Sequence, residues 1–340
     1  MLRQTAGFAI GVQSAKGTAA TSNFHRALAL RSRLGQPNFT EMGAEEVEHG
    51  GAHQRSTAAQ GTPVRTGYVV PWSVRSYLYP QLIGDLLIAF GFGVSTTGAS
   101  APYTHTFTLA DADAEKWISI MQALGEDGAR YERKARDGRL NQLQFQASRT
   151  GVEYTASGNA LTEADSAGTE TVTAEVDAKM IQGAGSFTIT SDDLTEASLG
   201  NPRGQTVTFD NPTEEDDQVA ASFANADMAP TGKRVSGTMS GFTFGETLYK
   251  ELNWGGGSAP AIAIPEAQLV WKWQSPVIAG GSTPHSIQFT IPVAQVNMQM
   301  VDVEGGGKYV FDMAWRMLDR SASAPITIVL VNSTASYAGS

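Results

Sequence analysis

The densest set of metal-type ligands in the chain is the stretch EEVEHGGAH, which places Glu45, Glu46 and Glu48 beside His49 and His53. Two histidines four residues apart share one face of a helix and can bind a divalent metal there. Gly50 and Gly51 lie between them and oppose that helix, so a solvated polar arm is the favoured reading. Glu214, Glu215, Asp216 and Asp217 form an acidic run without the alternating acidic positions and central glycine of a calcium loop, and read as a charged turn. His25, His105 and His285 each stand alone, which fits a surface or satisfied core histidine better than a catalytic base. Trp271 and Trp273, on one face of a strand, could stack a sugar ring, although core or subunit contact is the commoner role of such a pair.

No GxSxG elbow, no phosphate loop ending in Gly-Lys-Ser/Thr and no HExxH occurs, and the carboxylates are too dispersed to nominate an acid–base pair. The expectation is a protein that is not an enzyme and uses no cofactor or metal. Zero cysteines exclude disulfides, thiolate metal sites and cysteine nucleophiles. A formal net charge of −10 argues against a protein that grips nucleic acid, because phosphate binding needs a basic surface. It leaves room for a protein that DNA must pass without sticking. The start MLRQTAGFAIGVQSAKGTAAT has no apolar run of signal-peptide length. No segment approaches the roughly 18 apolar residues of a membrane helix.

The elements are predicted to be mostly β strands, since 36 Gly and 14 Pro are scattered among short alternating runs. In RLNQLQFQASRTGVEYTAS (139–157), Leu143, Phe145 and Ala147 alternate with Gln142, Gln144 and Gln146, and Arg149-Thr150-Gly151 supplies a turn. That is a hairpin with one packed face and one amide face. A longer relative spans His285 to Val303, where Pro292 separates Ile287, Phe289 and Ile291 from Val296, Met298 and Met300, with Gln295, Asn297 and Gln299 on the opposite face. The strand Tyr309 to Leu318 follows a glycine turn. An amide-rich hairpin in each half points to an internal duplication.

Further strands are expected at Ala27–Leu30, Thr104–Leu109, Trp117–Leu124, Gly128–Lys134, Ser186–Thr190, Thr206–Phe209, Lys233–Phe244, Val270–Trp273 and Ile326–Val331. Helical spacing runs from Ser73, a candidate N-cap, to Phe90, with a break at Pro80 and an end at Gly91 and Gly93. Gly245–Trp254 is a second short helix. Residues 35–67 are poor in large apolar side chains and read as a long polar arm. The Ala/Thr/Glu/Asp stretch from Gly158 to Asp177 reads as an exposed linker, giving an N-terminal domain 1–160, a linker 161–178 and a C-terminal domain 179–340.

Together IGVQSAKGTAAT (10–21), the arm leading into GYVVPWSVRSYLYPQLIGDLL (67–87), the hairpin GRLNQLQFQASRTGVEYTASG (138–158) and the closing YVFDMAW and PITIVLVN strands resemble the major tail-tube proteins of long-tailed, non-contractile (siphovirus-type) bacteriophages. The resemblance implies two tandem β-sandwich domains, each with a flanking helix, whose inner sheets join between subunits into an oligomeric β-barrel tube. It implies a structural virion protein, assembled in the host cytoplasm and located in the tail, that forms the conduit for DNA ejection. Implied partners are further copies of the chain, the tape measure and terminator proteins, and DNA in transit only. Two domains per chain point to a homotrimeric ring with pseudo-sixfold symmetry, the alternative being a hexamer. Gln142, Gln144, Gln146, Gln295, Asn297 and Gln299 are the lumen-facing candidates, since a wide barrel needs a polar inner face. Glu45, Glu46, Glu48, His49, His53 and Arg55 are the candidates for contact between stacked rings. The rival readings are a secreted or surface carbohydrate-binding β-sandwich using Trp271 and Trp273, and an outer-membrane barrel, which would show one continuous apolar face and aromatic girdles.

Overall fold

The computed structural model describes residues 7–21, 24–42, 64–109, 116–124, 131–165, 170–190, 195–196, 202–216, 227–243, 246–255, 257–259, 266–279, 283–300, 310–320 and 324–337. Over these described residues it is mainly β, with a large sheet and two helices. The first half of the chain holds β1 (Gly7–Val12), β2 (Phe24–Ala27), β3 (Ala29–Leu34), β4 (Asn38–Met42), β5 (Val64–Tyr77), α1 (Leu82–Phe90), β6 (Phe92–Thr97), β7 (Tyr103–Leu109), β8 (Ile118–Leu124), β9 (Tyr131–Ser148) and β10 (Gly151–Asp165). The chain continues through β11 (Val172–Thr173), β12 (Ile181–Thr190), β13 (Thr195–Glu196), β14 (Gly204–Asp210), β15 (Thr213–Asp216) and β16 (Asp227–Pro230). It ends with β17 (Arg234–Thr243), α2 (Glu246–Trp254), β18 (Glu266–Ala279), β19 (Thr283–Met300), β20 (Val310–Met317) and β21 (Thr327–Asn332).

Two long strands change partners along their length. One edge of β9 pairs with β8 through its first half and with β14 through its second, while β10 follows it along the other edge. β19 does the same, pairing first with β21 and then with β20, with β18 opposite. Each long strand therefore leaves one layer and enters another, which lets a sheet fold over its own core. Strands from the two halves pair directly, β14 with β9 and β21 with β7. The core is continuous across these junctions: Phe209 lies against Phe90, Phe145 and Phe289, and Trp271 stacks on Phe289 at 5.0 Å.

α1 is apolar on all sides except at Gly84 and Asp85, as a helix enclosed by other elements must be. All nine of its residues are buried. Gly91 closes it in the left-handed conformation (φ 107°), its N–H bonding back to Ile88 and Leu87 carbonyls. At Gly84 the ring of Tyr337 occupies the space a Cβ would need. Gly84→Ala is therefore expected to destabilise the fold by about 1–3 kcal/mol, the usual cost of overpacking a core, read as a shift in the urea midpoint at constant slope.

The helix expected from Ser73 begins instead at Leu82. Residues 73–77 belong to β5, where Trp72, Val74 and Ser76 point inward and Arg75 outward. The i, i+3, i+4 spacing of Val74, Tyr77 and Leu78 mimics a helix, but hydrogen bonds to β10 on one edge and β3 on the other override it. The exposed linker is also corrected. β10 pairs with β9 as far as Asp165, Leu161 is buried, and β11 lies parallel to β2. Strand therefore covers 158–165 and Val172–Thr173 of this stretch, whereas Thr171, Thr173, Ala174 and Val176 are exposed.

Candidate functional site

The two amide rows lie more than a hundred residues apart in sequence, and the sheet brings them onto one surface. Opposite residues in antiparallel strands share a face. Gln142, Gln144 and Gln146 on β9 stand opposite Asp210, Thr208 and Thr206 on β14, which stand opposite Arg234, Ser236 and Thr238 on β17. Ser236 and Thr238 then meet Arg316 and Ala314 on β20, and these meet Gln295 and Asn297 on β19, with Gln299 opposite Asp312. On the reverse side Leu143, Phe145, Val207, Phe209, Met239, Met313, Trp315, Val296 and Met298 are buried. Gln142, Gln146, Asn297 and Gln299 are exposed, while Gln144 and Gln295 are half-buried.

The face is held by side-chain bonds between neighbours. Gln142 Nε2 donates to Asp210 Oδ1 at 2.8 Å and Gln144 Nε2 to Thr208 Oγ1 at 3.3 Å. Gln146 donates to Gln144 at 3.1 Å, and Arg316 Nε donates to Gln295. Beyond β9 the same face continues over β10 and β5 to the arginines of β3, where Thr155 is opposite Gln144, Arg75 opposite Thr155, and Arg31 opposite Arg75. Arg75 pairs with Glu153 at 2.6 Å. The described face thus carries Arg31, Arg33, Arg75, Arg234 and Arg316 against Glu153, Asp210, Asp312 and Glu266, five positive charges interspersed with four negative ones although the chain is acidic. Sequence reading did not find the bridge of β14, β17 and β20. Its signal was present in TVTF, whose Thr206 and Thr208 continue the outward polar rows.

The candidates Glu45, Glu46, Glu48, His49, His53 and Arg55 lie outside the described residues. The root of that arm is described: β4 pairs with β5, Met42 opposite Val64, and Phe39 lies against Tyr68 with ring centres 5.8 Å apart. Arg133 fastens the root by donating to the carbonyls of Leu34 at 2.9 Å and Gly35 at 2.7 Å while pairing with Glu163.

Trp271 and Trp273 are each 1% exposed, against the rings of Phe289, Trp315 and Phe145. They cannot stack a sugar. The three histidines in the described residues are buried and partnered. His25 Nδ1 bonds the carboxyl of Asp85 on α1. Burial lowers the His25 pKa, but the bond and charge of Asp85 and the charge of Glu175 outweigh it, and the net shift is upward. Asp85 is also shifted upward, because its burial outweighs the lowering by His25. His105 meets Thr96 Oγ1, Asn332 Oδ1 and the Thr334 carbonyl, and burial holds its pKa down. His285 Nε2 lies 3.7 Å from Asp177.

Among the described residues no group of three or more His, Asp or Glu is arranged to hold a metal, and no helix is long and apolar enough to cross a membrane. No family model matches the chain, and no curated protein matches it.

Proposed function

We propose that this chain is a structural subunit that closes into rings and stacks into a hollow tube, the tail tube of a long-tailed phage, through which DNA passes on ejection. The observation that carries this reading is the joining of both amide rows on one polar sheet face whose reverse side is core. A channel for a polyanion needs a wettable lining without a strongly basic surface, and a row of amides and hydroxyls with charges of both signs interspersed meets that need.

The ends of the sheet support the ring. Among the described residues β3 pairs only with β5, and β12 pairs with β18 and the two residues of β13. Open edges of this kind template pairing with another copy. Leu28, just before β3, and Leu30, at the register irregularity within it, are 41% and 51% exposed. Joining unlike edges of successive copies is a heterologous contact that closes by rotation, and the arm would link one ring to the next. Three chains with two tube units each would give a trimeric ring with pseudo-sixfold symmetry; a hexamer using one unit each is the other geometry.

Negative-stain electron microscopy of the concentrated protein tests the proposal. Hollow tubes or stacked rings are expected. A monomer that stays dispersed on long incubation would overturn it.

A further inference from the structure

We propose that the cleft at the root of the arm, between the paired strands β4 and β5 and the ends of β9 and β10, binds a neutral saccharide. The cleft holds about 560 Å³, inside the range of roughly 300–1,000 Å³ usual for small-molecule sites. Gln36, Phe39, Tyr68, Tyr131, Arg133 and Glu163 line it. Phe39 and Tyr68 face each other across the pairing of β4 with β5, their ring centres 5.8 Å apart and their planes at 50°. Tyr131 and Arg133 stand two residues apart on β9 and so share a face, and Glu163 comes from the neighbouring β10. The two walls are tied together. Arg133 donates through Nε to Glu163, and through its Nη atoms to the Leu34 carbonyl at 2.9 Å and the Gly35 carbonyl at 2.7 Å. The Gly35 N–H in turn bonds the Pro71 carbonyl of β5 at 2.7 Å. A guanidinium held at three points does not swing, so the cleft is formed before any ligand arrives.

The exposed rings define the ligand's shape. Phe39 is 39% exposed and Tyr131 52%, whereas Trp271, Trp273, Phe145, Phe209 and Phe289 are all drawn into the core. Rings kept at the surface of a concave site present flat apolar faces to whatever enters it. The C–H face of a pyranose matches such a surface, and the hydroxyls on its rim both donate and accept hydrogen bonds. The polar groups of the cleft have the same double character. The exposed Gln36 amide and the two tyrosine hydroxyls donate and accept, and each Nη of Arg133 keeps a further N–H beside the one given to a carbonyl.

Charge selects a neutral ligand. Arg133 and Glu163 are paired within the lining, so an entering cation is set beside the guanidinium and an entering anion beside the carboxylate. A proline-rich peptide is also neutral and stacks on tyrosine. Its prolines carry no N–H, however, so fewer acceptors of the cleft find a donor, and the saccharide is the better match. The site makes no use of the buried Trp271 and Trp273 and does not depend on ring assembly.

Saturation-transfer NMR of the full chain with maltotriose, triacetylchitotriose and galactotriose, and with a proline-rich peptide for comparison, reads binding directly. At least one of the saccharides is expected to receive saturation at its ring protons. Tyr131→Ala and Phe39→Ala, made singly, should each weaken that saccharide's affinity by about tenfold, as the loss of one stacked ring implies. Circular dichroism and the urea midpoint of Tyr131→Ala should match the natural chain, because the ring is half-exposed. If Phe39→Ala fails to fold, Tyr131→Ala decides alone. No transfer to any of the saccharides, transfer to the peptide only, or saccharide binding unchanged by loss of these rings would overturn the proposal.

Discussion

Phe209→Ala is expected to lower the stability of the fold by about 3–5 kcal/mol, the range for removing a buried phenylalanine. The side chain is 0% exposed and lies where the two halves of the chain meet. Its ring contacts Phe90 at the end of α1, Phe92 on β6, Phe145 on β9 and Phe289 on β19, at 5.4, 6.1, 5.9 and 6.3 Å. The backbone of β14 is bonded to β9 and β17 on its two edges, so it cannot slide inward to fill the gap. Typical total stabilities are about 5–15 kcal/mol, so the variant would be marginal. Urea unfolding should show the loss with an unchanged slope, and Phe209→Leu, which fills most of the space, should lose much less. A loss under about 1 kcal/mol would mean that the aromatic cluster is not a shared core but two cores in loose contact.

If copies join through β3 into the proposed tube, the double substitution Leu28→Lys with Leu30→Lys is expected to abolish assembly while leaving the subunit folded. Both side chains are exposed in the single chain, so lysine there costs the monomer little. In a ring joined through the edge of β3 the same positions would carry two lysine charges into a desolvated contact at every subunit junction, and lysine on an edge strand is an established way of blocking edge pairing. Circular dichroism and the urea midpoint should match the natural chain, while electron microscopy should show dispersed particles. Tubes of normal length and number from the variant would place the junction elsewhere than at β3.

The sequence carried the periodicities. Alternation fixed the hairpin of β9 and β10, the phase break of β19 at Pro292, and strands β7, β8, β14, β17, β20 and β21 to within a few residues, because a strand with one packed face must alternate. It also marked the end of α1 at Gly91, where only glycine adopts the required backbone easily. It misread residues 73–77, since a short apolar run satisfies both periods until its pairing partners are known. It misread the stretch from Gly158 to Asp165, since backbone pairing conceals itself behind small side chains.

Only the tertiary structure decided that the amide rows are neighbours, that Trp271 and Trp273 are core, and that His25, Asp85 and Glu175 meet at α1. Each is a contact between residues far apart in the chain. Local patterning reports which face of an element is apolar and says nothing of which other element covers it, because that choice depends on the whole set of strands competing for the same edges and the same core.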